Sequence, residues 1–237
     1  MSLGTKAGDE ALVVFDHVGF AYADRDGATS VALDDVSFSV AAGECVALVG
    51  PNGCGKSTAL RLLAGLDEPD AGEVRFDGEA ITAARMADQA FAKRLHKRVG
   101  LVFQDPDTQL FCPTVRDEVA FGPRQMGMGG DELEGRVADT LALFGIEGLA
   151  HRAPYHLSGG EKRKVAMACV VSCAPEVLVC DEPTNALDED SVAEVTGFLK
   201  AFVAAGRTVL LTTHQADVVS ALGAREVRMD KSHRVVR

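Results

Sequence analysis

Eight consecutive residues, Gly50-Pro51-Asn52-Gly53-Cys54-Gly55-Lys56-Ser57, match G-x-x-x-x-G-K-[ST] at every fixed position. Each fixed residue has a physical task in holding polyphosphate. Glycines let successive backbone N–H groups curve into a concave nest around phosphate oxygens, where side chains would collide. A helix starting at Lys56 aims the positive end of its dipole at the same anion. Lys56 is then expected to reach the β- and γ-phosphates, Ser57 to ligate Mg2+ through its hydroxyl, and Thr58 to add a hydroxyl at the α-phosphate. A chance glycine turn would not need the setting found here. The apolar stretch Cys45 to Val49 comes directly before the loop, and a helical pattern, Lys56 to Leu66, directly after it. The segment reads as a binding site for a nucleoside triphosphate.

A second group of residues could act on what the first one holds. The apolar run Val177 to Cys180 ends in Asp181-Glu182, and ligands of open α/β sheets lie at the carboxyl ends of strands. Adjacent strand residues point to opposite sides, so the two acids are expected to divide the work. Asp181 would hold Mg2+, directly or through water, while Glu182 orients or deprotonates the attacking water. His214 follows the apolar run Thr208 to Thr213 and offers a donor to the γ-phosphate, although a lone histidine is as easily structural. Leu157-Ser158-Gly159-Gly160-Glu161 has two readings that can hold together. Ser158 and Glu161 have capping-box spacing, and a helix start with a hydroxyl and bare glycine amides is also an anion site.

These residues need elements to position them. Strand-like alternation occupies Leu12 to Phe15 and Val36 to Val40, with Ala41-Ala42-Gly43 turning the chain into the strand before the phosphate loop. Glu73 to Phe76 alternates and meets Asp77-Gly78, a hairpin turn signal. Val99 to Phe103 is another apolar strand, ending at Gln104. From Asp105 to Leu157 the chain turns to proline, glycine and short helical patterns, with Thr114 and Asp131 as N-caps. Helix at Lys162 to Ser172 and Asp188 to Ala204 then alternates with strand at Val177 to Cys180, Thr208 to Thr213 and Arg225 to Met229. Apolar strands alternating with helices point to an α/β fold with a parallel sheet. The expected organisation is a flexible tail at 1–10 and a single domain at 11–237, with a helical lobe at about 105–157.

Composition narrows the partners. The 237 residues are 47% hydrophobic and 25% charged, an ordinary globular mix. Asp and Glu number 35 against 24 Lys and Arg, a net charge of −11. That balance argues against nucleic acid as a partner and against adhesion to an anionic membrane surface. A small anion held by backbone amides remains compatible with it. The longest apolar stretch, Val165 to Cys180, is broken by Ser172, Pro175 and Glu176 and falls short of the roughly 20 residues a spanning helix needs. Met1 to Glu10 lacks the apolar core of a signal peptide. The six cysteines form no C-x-x-C pair and read as small buried hydrophobes. The basic run Lys93 to Arg98 reads as a solvated face.

Taken in order, from about Val13 to Val236, these segments resemble the ATP-binding cassette family. The resemblance implies an α/β fold: a P-loop NTPase (RecA-like) parallel-sheet core with an N-terminal antiparallel β subdomain and a helical insertion lobe. It implies ATP and Mg2+ as ligands and ATP hydrolysis as the activity. In that family the Leu-Ser-Gly-Gly-Glu segment of one subunit closes over the γ-phosphate held by its partner's phosphate loop. Ser158, Gly159, Gly160 and Glu161 would therefore touch nucleotide only across a dimer. Tyr22 resembles the aromatic that stacks on adenine, with a plain core or surface ring as the other reading. Gln104 resembles the glutamine that senses Mg2+, beside Ser57 and Asp181, and couples to the membrane partner. Asn185-Ala186-Leu187-Asp188 is similar to the loop exchanged across the dimer, and His214 to the switch histidine. Catalysis would rest on Glu182, His214, Gln104 and Lys56, and nucleotide binding on Tyr22, Gly50 through Thr58, Ser158 through Glu161, and Asp188.

Within the family, Gln104 through Phe111, Pro113-Thr114-Val115, Ala120-Phe121-Gly122-Pro123 and Glu161 through Ala166 resemble the energy-coupling-factor and cobalt-importer ATPases. That branch implies a transmembrane coupling protein, a substrate-capture subunit and a second ATPase subunit, identical or different. It places the chain at the cytoplasmic face of the cell membrane, with a transition-metal ion or a vitamin as cargo. Leu110, Phe111, Val115 and Phe121 could form a groove for an amphipathic coupling helix or a small core of the helical lobe. The chain ends soon after Met229, so a C-terminal dimerisation extension of the kind some relatives carry is not expected, and dimerisation should depend on nucleotide. The competing reading is a non-transport cassette acting on DNA or ribosomes, although such relatives carry long coiled-coil insertions or two cassettes. A P-loop kinase would leave the Leu157–Glu161 element without a task.

Overall fold

The computed structural model describes residues 11–23 and 27–236, so the tail expected at 1–10 lies outside the described residues. In chain order the strands and helices are β1 (Ala11–Ala23), β2 (Thr29–Ala41), β3 (Cys45–Val49), α1 (Lys56–Leu63), β4 (Ala71–Phe76) and β5 (Glu79–Ala80). Then come α2 (Ala83–Met86), α3 (Gln89–Arg98), β6 (Val99–Val102), α4 (Val115–Gln125), α5 (Gly130–Leu143) and α6 (Gly159–Val171). The chain finishes with β7 (Val177–Asp181), α7 (Glu189–Ala204), β8 (Thr208–Thr212), α8 (Ala216–Leu222), β9 (Arg225–Met229) and β10 (Val235–Val236).

Two sheets result. One is antiparallel, in the order β2-β1-β4-β5. The other runs β10-β9-β3-β8-β7-β6, parallel from β9 to β6 with β10 antiparallel at its edge. Val46 to Leu48, Val177 to Cys180 and Val209 to Leu211 are buried without exposure, as strands covered on both faces must be. One face packs with α1 against the antiparallel sheet, through Leu48, Leu60, Leu63, Val13 and Phe15. The other face packs against α6, α7 and α8 through Met167, Val195, Leu199 and Val218. A separate core joins α4, α5 and α6, around Val119, Val137 and Val165.

The strand order does the positioning. With β3, β8 and β7 side by side, their carboxyl ends deliver Gly50, Thr213 and Glu182 to one sheet edge. Asp77 and Gly78, at φ 52° and 74°, make the left-handed pair of a tight hairpin turn between β4 and β5, as the sequence suggested. Thr114 caps α4, its Oγ1 accepting from Asp117 N at 3.1 Å.

Other local expectations are corrected. Gly129, not Asp131, precedes α5, and Asp131 and Glu132 sit in its first turn, where they favour the dipole without capping. Helix α1 ends at Leu63, because Gly65 is left-handed at φ 68°. Helix α6 begins at Gly159, three residues before the first strongly helical residue. The run Lys93–Arg98 is more than a solvated face. It lies on α3, which buries Phe91 and Leu95 one turn apart. Arg94 there donates to Glu79 at 2.9 Å, and Arg98 donates to Asp77 at 2.7 Å and Glu176 at 2.8 Å. Cys45, Cys54 and Cys180 are buried, and burial pushes the Cys45 thiol up to about 11.

Candidate functional site

The loop Gly50–Gly55 leaves the buried strand β3 and enters α1. Gly50 and Gly55 are fixed by close approach as much as by conformation. At φ 158° and 103°, a Cβ on either would collide with a backbone carbonyl, that of Met229 or of Ala32. Cys54 turns inward and is 1% exposed, tying the loop to the core. Lys56 and Thr58 are buried on the first turn of α1. The Lys56 ammonium donates to the Gly50 and Pro51 carbonyls at 2.9 and 3.0 Å, which holds its charge over the loop's mouth.

Both acids line one cavity, as expected of the carboxyl end of this strand. Asp181 is the last residue of β7, and Glu182 directly after it is left-handed at φ 47°. Such a backbone costs roughly 1–3 kcal/mol and persists only where its surroundings hold it. Here Thr212 holds it. The Glu182 N–H donates to Thr212 Oγ1 at 2.8 Å, and that hydroxyl donates to Asp181 Oδ1 at 2.6 Å. Glu182 is only 7% exposed, and its Oε2 lies 2.9 Å from His214 Nδ1. A carboxylate only accepts, so Nδ1–H donates and Nε2 is left for another partner.

The cavity measures about 700 Å³, within the usual range of roughly 300–1,000 Å³ for ligand sites. Asn52, Gly53, Gly55, Lys56, Ser57 and Thr58 line it from the phosphate-loop side. Gln104, Asp181, Glu182, Asn185 and His214 line it as well. Tyr22 stands at its wall beside Ser30, Val31 and Ala32, its hydroxyl 3.2 Å from Thr58 Oγ1.

Ser158, Gly159, Gly160, Glu161 and Asp188 do not line this cavity. They start two helices. Ser158 N–H donates to Glu161 Oε2 at 2.7 Å and Glu161 N–H to Ser158 Oγ at 3.3 Å, a reciprocal capping box. The Ser158 N–H holds the Glu161 carboxyl below the usual range. Asp188 caps α7 by accepting from Ser191 N at 2.8 Å, and that contact lowers its pKa. The two helix starts are neighbours, since a Cβ on Gly160 would lie 3.1 Å from Ser191 Oγ.

A mechanical link that the sequence did not disclose joins this segment to the cavity. Arg163 of α6 is 5% exposed and donates to the Phe103 and Gln104 carbonyls at 2.9 and 2.6 Å. Gln109 adds a second tie, donating to Ala166 O at 2.8 Å and accepting from Phe103 N at 3.3 Å. The backbone of Gln104 is thus clamped to the helix that Ser158 caps. An arginine five residues past a helix cap was the only signal, and nothing local says that it turns inward.

A second, mostly apolar groove of about 270 Å³ lies beyond Gln104, lined by Phe111, Phe121, Leu66, Leu101 and Val170. Phe111 and Phe121 are exposed and meet edge to face at 4.9 Å. Val115 does not join them: it is fully buried in the helical-lobe core, and Leu110 packs on that core. Glu118 reaches the groove from the buried side and accepts from the Cys112 N–H. Burial pushes its carboxyl above the ordinary value.

A phosphate loop between a buried parallel strand and a helix, with carboxylates on a nearby parallel strand, defines a P-loop nucleoside triphosphatase. The profile of the ABC transporter family matches residues 33–185. The chain belongs to that family and is one of its nucleotide-binding ATPase cassettes. The nickel import ATP-binding protein LarO of Lactiplantibacillus plantarum is 44% identical to it, over 86% of this chain and 84% of LarO. The energy-coupling factor transporter ATP-binding protein EcfA of Methanothermobacter thermautotrophicus is 42% identical, over 86% of this chain and 64% of EcfA. Among solved structures, cbiO1 of Clostridium perfringens, part of the transporter complex cbiONQ, superposes with a TM-score of 0.82 at 33% identity, covering 97% of this chain and 88% of cbiO1. The cassette MJ0796, dimeric in a post-hydrolysis state with ADP and Pi, gives 0.85 at 29% identity, covering 95% and 97%. Among the described residues no helix is long and apolar enough to cross a membrane.

Proposed function

We propose that this cassette is the ATP-hydrolysing subunit of an energy-coupling-factor importer at the cytoplasmic face of the membrane, carrying a transition-metal ion or a vitamin. One observation carries the reading. The cavity gathers the phosphate loop, two carboxylates and a histidine, while Ser158 to Glu161 lie outside it. A second ATPase subunit, identical or different, brings its own Ser158-type segment over the γ-phosphate. The relative named for nickel import supports a metal cargo.

In this reading Lys56 exchanges the Gly50 and Pro51 carbonyls for phosphate oxygens, and the amides from Gly50 to Gly55 wrap the same group. Tyr22 stacks on the base. Ser57, Asp181 and the side-chain amide oxygen of Gln104 are oxygen donors on one cavity, a set that suits Mg2+. They would hold the ion, which neutralises phosphate charge when bound. Glu182 orients the attacking water and takes its proton, and His214 steadies Glu182 through Nδ1–H; with a proton on Nε2 as well it donates to the γ-phosphate. Asn185 and Asp188 carry the state of one site to the other. ATP closes the dimer only as far as it binds the closed form better than the open one.

The Phe111–Phe121 groove receives an amphipathic helix of the transmembrane coupling protein. Through Arg163 and Gln109 it is tied to Gln104 and the Ser158 helix. Affinity capture of the tagged protein from its own detergent-solubilised membranes tests the assignment. A small polytopic coupling protein with a capture subunit is expected. Recovery of ribosomes or DNA factors instead would overturn the transport role and leave the ATPase chemistry standing.

A further inference from the structure

The loop between β9 and β10 returns to the nucleotide cavity carrying an unexpected residue. Asp230 N–H donates to Arg234 O and His233 N–H to Asp230 O, each at 3.1 Å, closing a loop around Lys231-Ser232-His233. In three-residue loops of this kind the last position is left-handed and ordinarily glycine. Here it is His233, at φ 65°. The loop is anchored on β2: Asp34 N–H donates to His233 O at 3.0 Å, and Arg234 Nε donates to Asp34 Oδ2 at 2.8 Å.

That anchor puts His233 in the cavity wall alongside Ser30, Val31 and Ala32. Its Nδ1 is buried and has no hydrogen-bond partner among the described residues. Glycine would make the turn without strain, so the turn gives no reason for an imidazole. With Nδ1 closed off by the protein, the rest of the ring, held in a strained backbone where glycine would serve, meets what fills the cavity. The wall it joins belongs to the ribbon that bears Tyr22, since Tyr22 pairs with Ser30 across β1 and β2, and not to the phosphate loop.

We propose that His233 is a nucleoside-binding residue of this cassette, the part of its imidazole that lines the cavity contacting the ribose or the base edge. The inference rests on the reading of the cavity as the nucleotide site. Calorimetric titration of the full chain with ATP and with inorganic tripolyphosphate separates the two claims. His233→Gly keeps the turn and removes the ring. His233→Asn, whose residue type also tolerates the left-handed region, guards against a folding artefact. Both variants should bind ATP about fivefold to tenfold more weakly, the worth of one contact of hydrogen-bond strength, with tripolyphosphate affinity unchanged. ATP affinity equal to that of the original protein, or an equal loss for both ligands, would overturn the assignment. If the unaltered protein bound tripolyphosphate and ATP equally, nucleoside recognition would fall as a whole, His233 with it.

Discussion

The nucleotide cavity and the Ser158 segment treat their polar groups in opposite ways. In the cavity, Lys56, Thr58, Glu182 and Thr212 are all buried, and each is held by a partner within the chain. At Ser158 to Glu161 the polar groups satisfy one another through a capping box, outside the nucleotide cavity. The first region is braced for charge before any ligand arrives, the condition under which electrostatic stabilisation costs no reorganisation. The second is complete as a helix start, and its glycines do not line this chain's own cavity. The difference teaches that binding and catalysis are separable here. In the proposed reading one chain suffices for the first, and the second needs another surface.

The largest effect should come from the carboxylate. Glu182→Gln is expected to slow hydrolysis by about 10²–10⁴-fold, the usual worth of a positioned base, with ATP affinity retained in equilibrium binding. Loss of binding instead would mean that the cavity is less independent than the comparison holds. Ser158→Arg should do the converse: binding by the single chain unchanged, turnover down by roughly 10²-fold, as when a donor to developing charge is lost. Retained turnover in that variant would dissolve the distinction between the two regions.

Thr212→Val sharpens the comparison inside the cavity. It leaves the Glu182 N–H buried without an acceptor, at a cost of about 1–3 kcal/mol, readable as a lower melting temperature. It should lower kcat by about tenfold, a little over 1 kcal/mol in the barrier, and raise KM for Mg·ATP with it, because the same hydroxyl also holds Asp181.

The smallest effect concerns Glu118. Burial raises its carboxyl above the ordinary 4.5, so the folded protein binds that proton more tightly than the unfolded chain. The associated stability is present below pH 4.5 and is lost as pH rises through the raised value. Glu118→Gln keeps an acceptor for the Cys112 N–H and removes the charge. It should melt higher than the parent above that window and lose its advantage as pH falls, in paired melting curves across pH.

The phosphate loop was readable because its requirements are local: glycines, a lysine and a serine at fixed spacing between a strand and a helix. The acids at 181 and 182 were readable for the same reason, but the brace that holds them was not. Strand alternation stops at Asp181, and the left-handed Glu182 is held by Thr212, thirty residues away. Arg163, Gln109 and His233 escaped for a similar reason, since their partners are backbone groups or cavity walls brought close only by folding. Val115 stayed open between groove and core because an apolar residue at a helix start serves either equally well, and folding places it in the core. Helix α3 was missed because two buried residues, Phe91 and Leu95, carry its whole apolar face.

The central claim is that catalysis needs a surface this chain does not bring to its own cavity. Light scattering on purified Glu182→Gln, with and without Mg·ATP, tests it most directly. The account predicts a single-chain mass without nucleotide and a twofold mass with it, abolished when Ser158→Arg is added. ATP bound at full occupancy with the mass unchanged would contradict it for a like pair. If the membrane capture also brought no second cassette, the account of a shared site would fail.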